Sequence, residues 1–316
     1  MRKNFSTTEI RKQAGLLLLA VMTVLMVSCM RTENTKAATS GGAGASGGPA
    51  GENGFISDAK VTEKGYILRP EGNNLKERFL TPSGFVRTNQ TEGSFEEFIR
   101  NYPLLPDGSP VLLYNGEEKG IQTDHAAVFN MHLPNRDLQQ CADSIMRIYA
   151  EYYWKNGHHE KINFRFVSGF QCPYSKWKEG YRVSISGNNV QWVKKAAPDS
   201  SWESFEQYLN TVFAYASTLS MKEESIPLEI DDIKIGDVFL YSGSPGHVVM
   251  VADVCEDENG ERAFLLAQGY MPAQQFHILN NPKHEDDPWY YTSEFAWPFE
   301  TPEFTFQEGS LRRMTY

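Results

Sequence analysis

Apolar and polar positions change their period along this chain, and the changes mark out its elements. Val238-Phe239-Leu240-Tyr241 is one short apolar run and residues 248–254 another, with Ser242-Gly243-Ser244-Pro245 between them. Two such runs around a turn cluster predict strand, turn, strand. A third run, residues 263–268, follows Asn259-Gly260, a dipeptide suited to a tight hairpin. A four-residue loop at 257–260 would set Gln268 opposite Val249. Gln268 would then lie diagonal to His247 and on its face, because strand side chains alternate. Gly246, just before His247, lets a neighbouring group approach the backbone closely.

Elsewhere the period is helical. Leu138, Cys141, Ile145, Tyr149 and Tyr152 recur three or four residues apart. Asp137 and Gln140 read as a capping box that opens this helix, which should run to about Trp154 and stop at Asn156-Gly157. Cys141 then lies on the buried stripe in the first turns. A thiol there feels the positive end of the helix dipole, which favours thiolate. Trp202, Phe205, Leu209, Val212, Phe213, Ala216 and Leu219 predict one long amphipathic helix opened by Ser200-Ser201-Trp202-Glu203. Ser94-Phe95-Glu96-Glu97 opens a brief helix through Tyr102. Residues 110–114, 127–133, 162–167 and 181–185 read as strands, and Pro272-Ala273-Gln274-Gln275-Phe276-His277-Ile278-Leu279 as a short one carrying His277. Between 170 and 177 lies an aromatic loop. The tail carries Trp289, Tyr290, Tyr291, Phe295, Trp297, Phe299, Phe304 and Phe306 among prolines, so it should wrap the domain and bury rings. Many strands with two long helices make the class α+β, in one domain over residues 55–316.

The first residues stand apart from this pattern. Arg2, Lys3, Arg11 and Lys12 precede an apolar run at 14–27 that Ser28-Cys29 closes, the form of a secretory signal over residues 1–28. Leu25-Met26-Val27-Ser28-Cys29 resembles the lipobox of bacterial lipoproteins. That resemblance implies lipidation of Cys29, membrane attachment through the anchor, and an exported place in the cell envelope. Residues 29–54, rich in Gly, Ser and Ala, read as a flexible tether.

Composition narrows the chemistry. The 316 residues are 41% hydrophobic and carry a formal charge of −10. A sizeable core is therefore available, and nucleic acid, which wants a basic surface, is excluded as a partner. Beyond Cys29 the cysteines are Cys141, Cys172 and Cys255, an odd number that leaves a free thiol. There is no CxxC and no zinc-type spacing, so no metal and no cofactor is expected. His158-His159 reads as a solvated turn.

A cysteine at a helix start, then Gly236-Asp237 before a strand, Gly246-His247 opening the next, and a polar residue on the strand after it form an ordered set. The set resembles the papain-like cysteine hydrolases, especially bacterial wall-active amidohydrolases of the CHAP type. The resemblance implies a papain-like core in which a helix bearing Cys packs on an antiparallel sheet bearing His. It implies Cys141 as nucleophile, His247 as base and Gln268 as orienter of the ring. The Cys141 backbone N–H would stabilise the oxyanion, with Asn135 or Gln140 helping. Gln268 can orient a histidine but supplies no charge to its protonated form. Leu138-Gln139-Gln140-Cys141-Ala142-Asp143 and Leu266-Ala267-Gln268-Gly269-Tyr270-Met271-Pro272-Ala273-Gln274 resemble the bacterial lipoprotein family catalogued as domain of unknown function 4846, over roughly residues 65–310. The expectation is a cysteine-dependent amidase or peptidase, with peptidoglycan peptides as substrate. A binding lipoprotein on the same scaffold and a structural envelope component stay open beside it.

Overall fold

The apolar runs of residues 238–268 form the centre of a nine-stranded antiparallel sheet. The computed structural model describes residues 60–61, 67–187 and 189–316. The leader, Cys29 and the tether to residue 54 lie outside the described residues. Among the described residues, no helix is long and apolar enough to cross a membrane.

Across the sheet the strands run His125–Val128, His277–Leu279, Arg262–Gln268, His247–Glu256, Val238–Tyr241, Leu311–Met314 and Ser225–Pro227. Tyr290–Tyr291 pairs with the Arg262 strand and Val86–Arg87 with the far end of the His247 strand. The mixed α+β class expected from the sequence is the class observed, with a large antiparallel sheet and few helices. The His247 strand is buried over all but its last residue, so its apolar run is continuous rather than alternating.

The hairpin behind His247 reaches the expected register by another route. Glu256 pairs with Arg262, so the loop is residues 257–261, one longer than expected. A bulge between Val251 and Asp253 inserts one extra residue and takes the offset back. Met250 then pairs with Ala267, and Gln268 falls one step on, across from Val249 and diagonal to His247.

The helix Cys141–Lys155 packs on the His247 and Arg262 strands. It starts three residues later than the Asp137 cap implies, with Gln140 in the capping position. Residues 134–140 instead make successive tight turns, with Arg136 N–H to Pro134 O, Leu138 N–H to Arg136 O and Gln140 N–H to Leu138 O. Asp137 cannot cap a helix because its Oδ1 accepts from Ala273 N–H at 2.7 Å and Gln140 Nε2 at 3.0 Å. Gln140 is the cap, and Asp143 Oδ2 accepts its backbone N–H at 3.0 Å.

The long helix expected at 202–219 breaks. Trp202–Tyr215 ends at Ala216, and Ser217 caps a second helix, Thr218–Glu223. Ser217 Oγ accepts from Leu219 N–H at 3.1 Å, which stabilises the restart. Residues 110–114 contribute isolated bridges, not a strand. The aromatic loop at 170–177 is Gln171–Pro173, paired with Asn163–Arg165, followed by the helix Tyr174–Lys178. His159 stacks on Trp154, ring centroids 5.9 Å apart. The aromatic tail is core: Phe239 stacks on Phe299 at 4.3 Å and lies 5.9 Å from Phe306.

Candidate active site

Cys141 is the first residue of its helix, where backbone N–H groups have no partner within the helix. The backbone N–H groups of Ala142, Val248 and Cys141 itself favour the thiolate. Val248 is the neighbour of His247 on the central strand, so this interaction brings the two elements together. The balance still goes the other way. The side chain is buried, 6% exposed, and burial, followed by the Asp143 carboxylate, pushes the thiol up to about 12. The thiolate expected from the helix position is therefore corrected: desolvation outweighs the helix terminus.

Asp143 sits two residues on and is itself buried. Burial raises its carboxyl to about 8 against the N–H bonds of Gln140 and its own backbone. Its Oδ1 has no hydrogen-bond partner.

His247 Nε2 lies 2.8 Å from Gln268 Oε1. The direction follows from the rest of the network. His277 Nδ1 lies 2.9 Å from Gln275 O and must donate to it, which leaves His277 Nε2 bare. Gln268 Nε2 lies 3.5 Å from that nitrogen and also donates to Glu303 Oε2. With the amide nitrogen facing two acceptors, its oxygen faces His247. Hence His247 carries its proton on Nε2 and its Nδ1 is free. Burial lowers this imidazole to about 4, with the Gln268 bond opposing. Tyr270, Phe304 and Phe306 surround the ring at centroid distances of 4.5, 4.9 and 5.9 Å.

Two glycines allow this closeness. A Cβ on Gly246 would meet Thr218 Oγ1 at 2.1 Å, and one on Gly269 would meet Ser144 Oγ at 2.5 Å. The first lets the turn before His247 touch the second helix of the broken pair. The second lets the end of the Gln268 strand touch the Cys141 helix.

A cavity of about 300 Å³ borders Cys141. Its walls are residues 137–138 and 140–143, the helix break at 213–214 and 216–219, the turn 243–246, and Met271. Gln140 lines it, with its side-chain Nε2 on Asp137; Asn135 is exposed and is not one of its walls. Cys172 and Cys255 are buried and unpaired, and burial raises both thiols. Among the described residues, no hydrogen bond joins the Cys141 thiol to the His247 ring, and no group of three His, Cys, Asp or Glu could hold a metal.

Glu303, Lys119, Tyr270 and Asp143 were not singled out from the sequence. Asp143 had a signal, since it stands three residues after Gln140 in capping-box spacing. Glu303 lies between Pro302 and Phe304, where no periodic pattern points to it. No curated protein and no solved structure matches this chain. A family match covers residues 75–313, most of the chain, and the chain therefore belongs to the family described as domain of unknown function (4846).

Proposed function

We propose that this chain is a cysteine-dependent amidase or peptidase built on a papain-like core, working by acyl transfer. The observation that carries the reading is the locked His247–Gln268 pair. It presents a bare Nδ1 from the strand residue next to Val248, whose backbone N–H favours the Cys141 thiolate.

The chemistry follows from the resting charges. With the imidazole lowered to about 4 and the thiol raised to about 12, both are neutral near pH 7. Proton transfer then accompanies attack: His247 Nδ1 takes the thiol proton as sulfur bonds to the amide carbonyl carbon. The imidazolium later returns that proton to the leaving amine, and water releases the acyl group from Cys141. The Cys141 N–H is the oxyanion donor, with a Gln140 amide N–H beside the cavity as the second. Contacts between thiol and base are commonly looser in a ligand-free site than in the reacting complex.

The substrate reading is a peptide of the cell envelope, peptidoglycan stems included, reached by a protein exported and held at the membrane through Cys29. Its support is the basic leader, the lipobox-like end and the tether. Fatty-acid labelling of the mature protein should be present in the wild type and lost in Cys29→Ser; an unlabelled wild type removes the anchor.

The test of the chemistry is mass spectrometry of the intact protein after incubation with peptidoglycan fragments and activated esters. An acyl adduct on Cys141 is expected, absent in Cys141→Ser and His247→Ala. A folded wild type that never acylates sinks the reading. One observation favours a binding protein instead: thiol and imidazole rest neutral and unbonded to each other. A binder keeps its peptide ligand in Cys141→Ser and shows no turnover in the wild type.

A further inference from the structure

Gln268 holds the ring but carries no charge, and the structure puts a charge directly behind it. Glu303 Oε2 accepts from Gln268 Nε2 and from Lys119 Nζ, the latter at 2.8 Å. Both ends of this ion pair are largely out of solvent, with Lys119 8% and Glu303 15% exposed. We propose that Glu303 is a positioning residue that sets the tautomer of His247 and supplies, through the Gln268 amide, the negative charge that Gln268 lacks. The proposal rests on the cysteine-hydrolase reading of the site.

An ionised carboxylate can only accept hydrogen bonds. Lys119 Nζ lies 2.8 Å from the same oxygen as its ion-pair partner. Gln268 must therefore turn its NH2 toward Glu303 and its oxygen toward His247. The oxygen in turn requires Nε2–H on the ring, which leaves Nδ1 without a proton. Charge-assisted bonds are the stronger ones, and bonds in a chain polarise one another. The carboxylate thus draws on the amide N–H and makes its oxygen a better acceptor for the imidazolium that forms during attack. Lys119, on the far side, tempers this effect.

The segment bearing Glu303 is built to hold it still. Phe299–Glu300 and Thr305–Phe306 pair as a short hairpin, and Thr301 N–H and Oγ1 both bond Phe304 O at 2.9 Å. Phe304, the next residue, packs on the His247 ring. One turn therefore covers the base and charges its partner.

The other titratable groups near the ring are neutral in the working range. Burial and the Glu303 charge raise Tyr270, and burial lowers His277 to about 3. Cys141 is a neutral thiol, and Asp143 acts on its sulfur. The Glu303–Lys119 pair is what remains to tune His247 by charge.

The test uses the full chain labelled with 15N histidine, reading the ring nitrogens of His247 against pH beside the Cys141 alkylation rate. The wild type should show the Nε2–H tautomer. Glu303→Gln should mix the tautomers, lower the imidazole basicity by about tenfold in its protonation equilibrium, and slow Cys141 severalfold. Lys119→Met should move basicity and rate the opposite way, and Glu303→Asp should keep the wild-type tautomer. A merely structural ion pair would lose stability in both variants and leave the tautomer alone. Both variants shifting His247 in one direction, or neither shifting it, overturns the proposal. If Glu303→Gln does not fold, Lys119→Met decides alone. The ring readout needs no turnover. Expected shifts with no acylation of Cys141 would keep this inference and remove catalysis; acylation without the shifts would do the reverse.

Discussion

Cys141 and His247 rest as a neutral pair, and their pH behaviour should say so. An ion pair formed between a low thiol and a high imidazole would give alkylation a plateau through neutral pH. Here the thiol lies near 12 and the imidazole near 4, so the Cys141 rate should climb about tenfold per pH unit through pH 7–10. Rates of iodoacetamide labelling, mapped by mass spectrometry, check this; a plateau between pH 5 and 8 would refute it. Asp143 adds a second, separable step. Its carboxyl, near 8 when folded against 3.8 ordinarily, holds its proton in the native state and loses it in the unfolded one. Its contribution to stability is complete below about pH 4 and lost as pH rises toward 8. Asp143→Asn keeps an oxygen for the Gln140 N–H and removes the titration. The variant should be more stable than wild type at pH 8.5 in urea, with Cys141 severalfold more reactive there and equal to wild type below pH 7. Equal reactivity at pH 8.5 would mean that the carboxylate does not act on the sulfur. These residues differ in how legible they were. His247 and Gln268 could be paired from sequence because strand alternation has a short period and the turn between them is visible. Glu303 and Lys119 meet by one long-range contact between irregular segments, which no local pattern records.

At the scale of elements, two errors cancelled in the hairpin. The loop is one residue longer than a tight-turn reading allows, and a bulge near Ala252 absorbs the difference. The sheet favours this because a one-residue slip would turn every buried side chain of Arg262–Gln268 to the wrong face. The helix break at Ala216 was hidden for a related reason: Leu219 keeps the helical spacing although the backbone restarts at Ser217. That break forms a cavity wall, and Gly246 is what lets the turn before His247 reach it. Gly246→Ala would put a Cβ 2.1 Å from Thr218 Oγ1, 2.8 Å from Tyr241 O and 2.9 Å from Gly243 N. A destabilisation of about 1–3 kcal/mol is expected from this overpacking. Thr218→Ala in the same chain removes one of the three clashes and leaves the two backbone ones, so it should restore only part of the loss. A double-mutant cycle by chemical denaturation measures the coupling. Complete recovery would show that the hydroxyl alone needs the glycine and that the backbone approach is slack.

Across the whole molecule, the sheet order escaped the sequence because its pairings are distant. Leu311–Met314 enters between Val238–Tyr241 and Ser225–Pro227, and Val86–Arg87 joins the end of the His247 strand. What ties the early segments to that strand is a buried charge. Asp253, fully buried, takes Arg87 Nε on one oxygen and Arg100 Nε on the other, each at 2.7 Å. Removing one partner of such a group strands the others, so Asp253→Ala should cost about 3–5 kcal/mol. High salt should not reproduce the loss, because buried pairs are little screened. The informative variant replaces all three: Asp253→Leu with Arg87→Met and Arg100→Met. For a bare ion cluster that exchange is often neutral or stabilising. This cluster is more than ionic, since Arg100 also donates to Thr88 O at 2.7 Å and Val254 O at 2.9 Å, and Arg87 donates to Phe79 O. Each carbonyl left without a donor in the interior costs about 1–3 kcal/mol. The triple variant should therefore remain well below wild type in urea stability. If it matches or exceeds wild type, the arginines act here only as counter-charges to Asp253, and the early segments are held to the central strand by apolar packing alone.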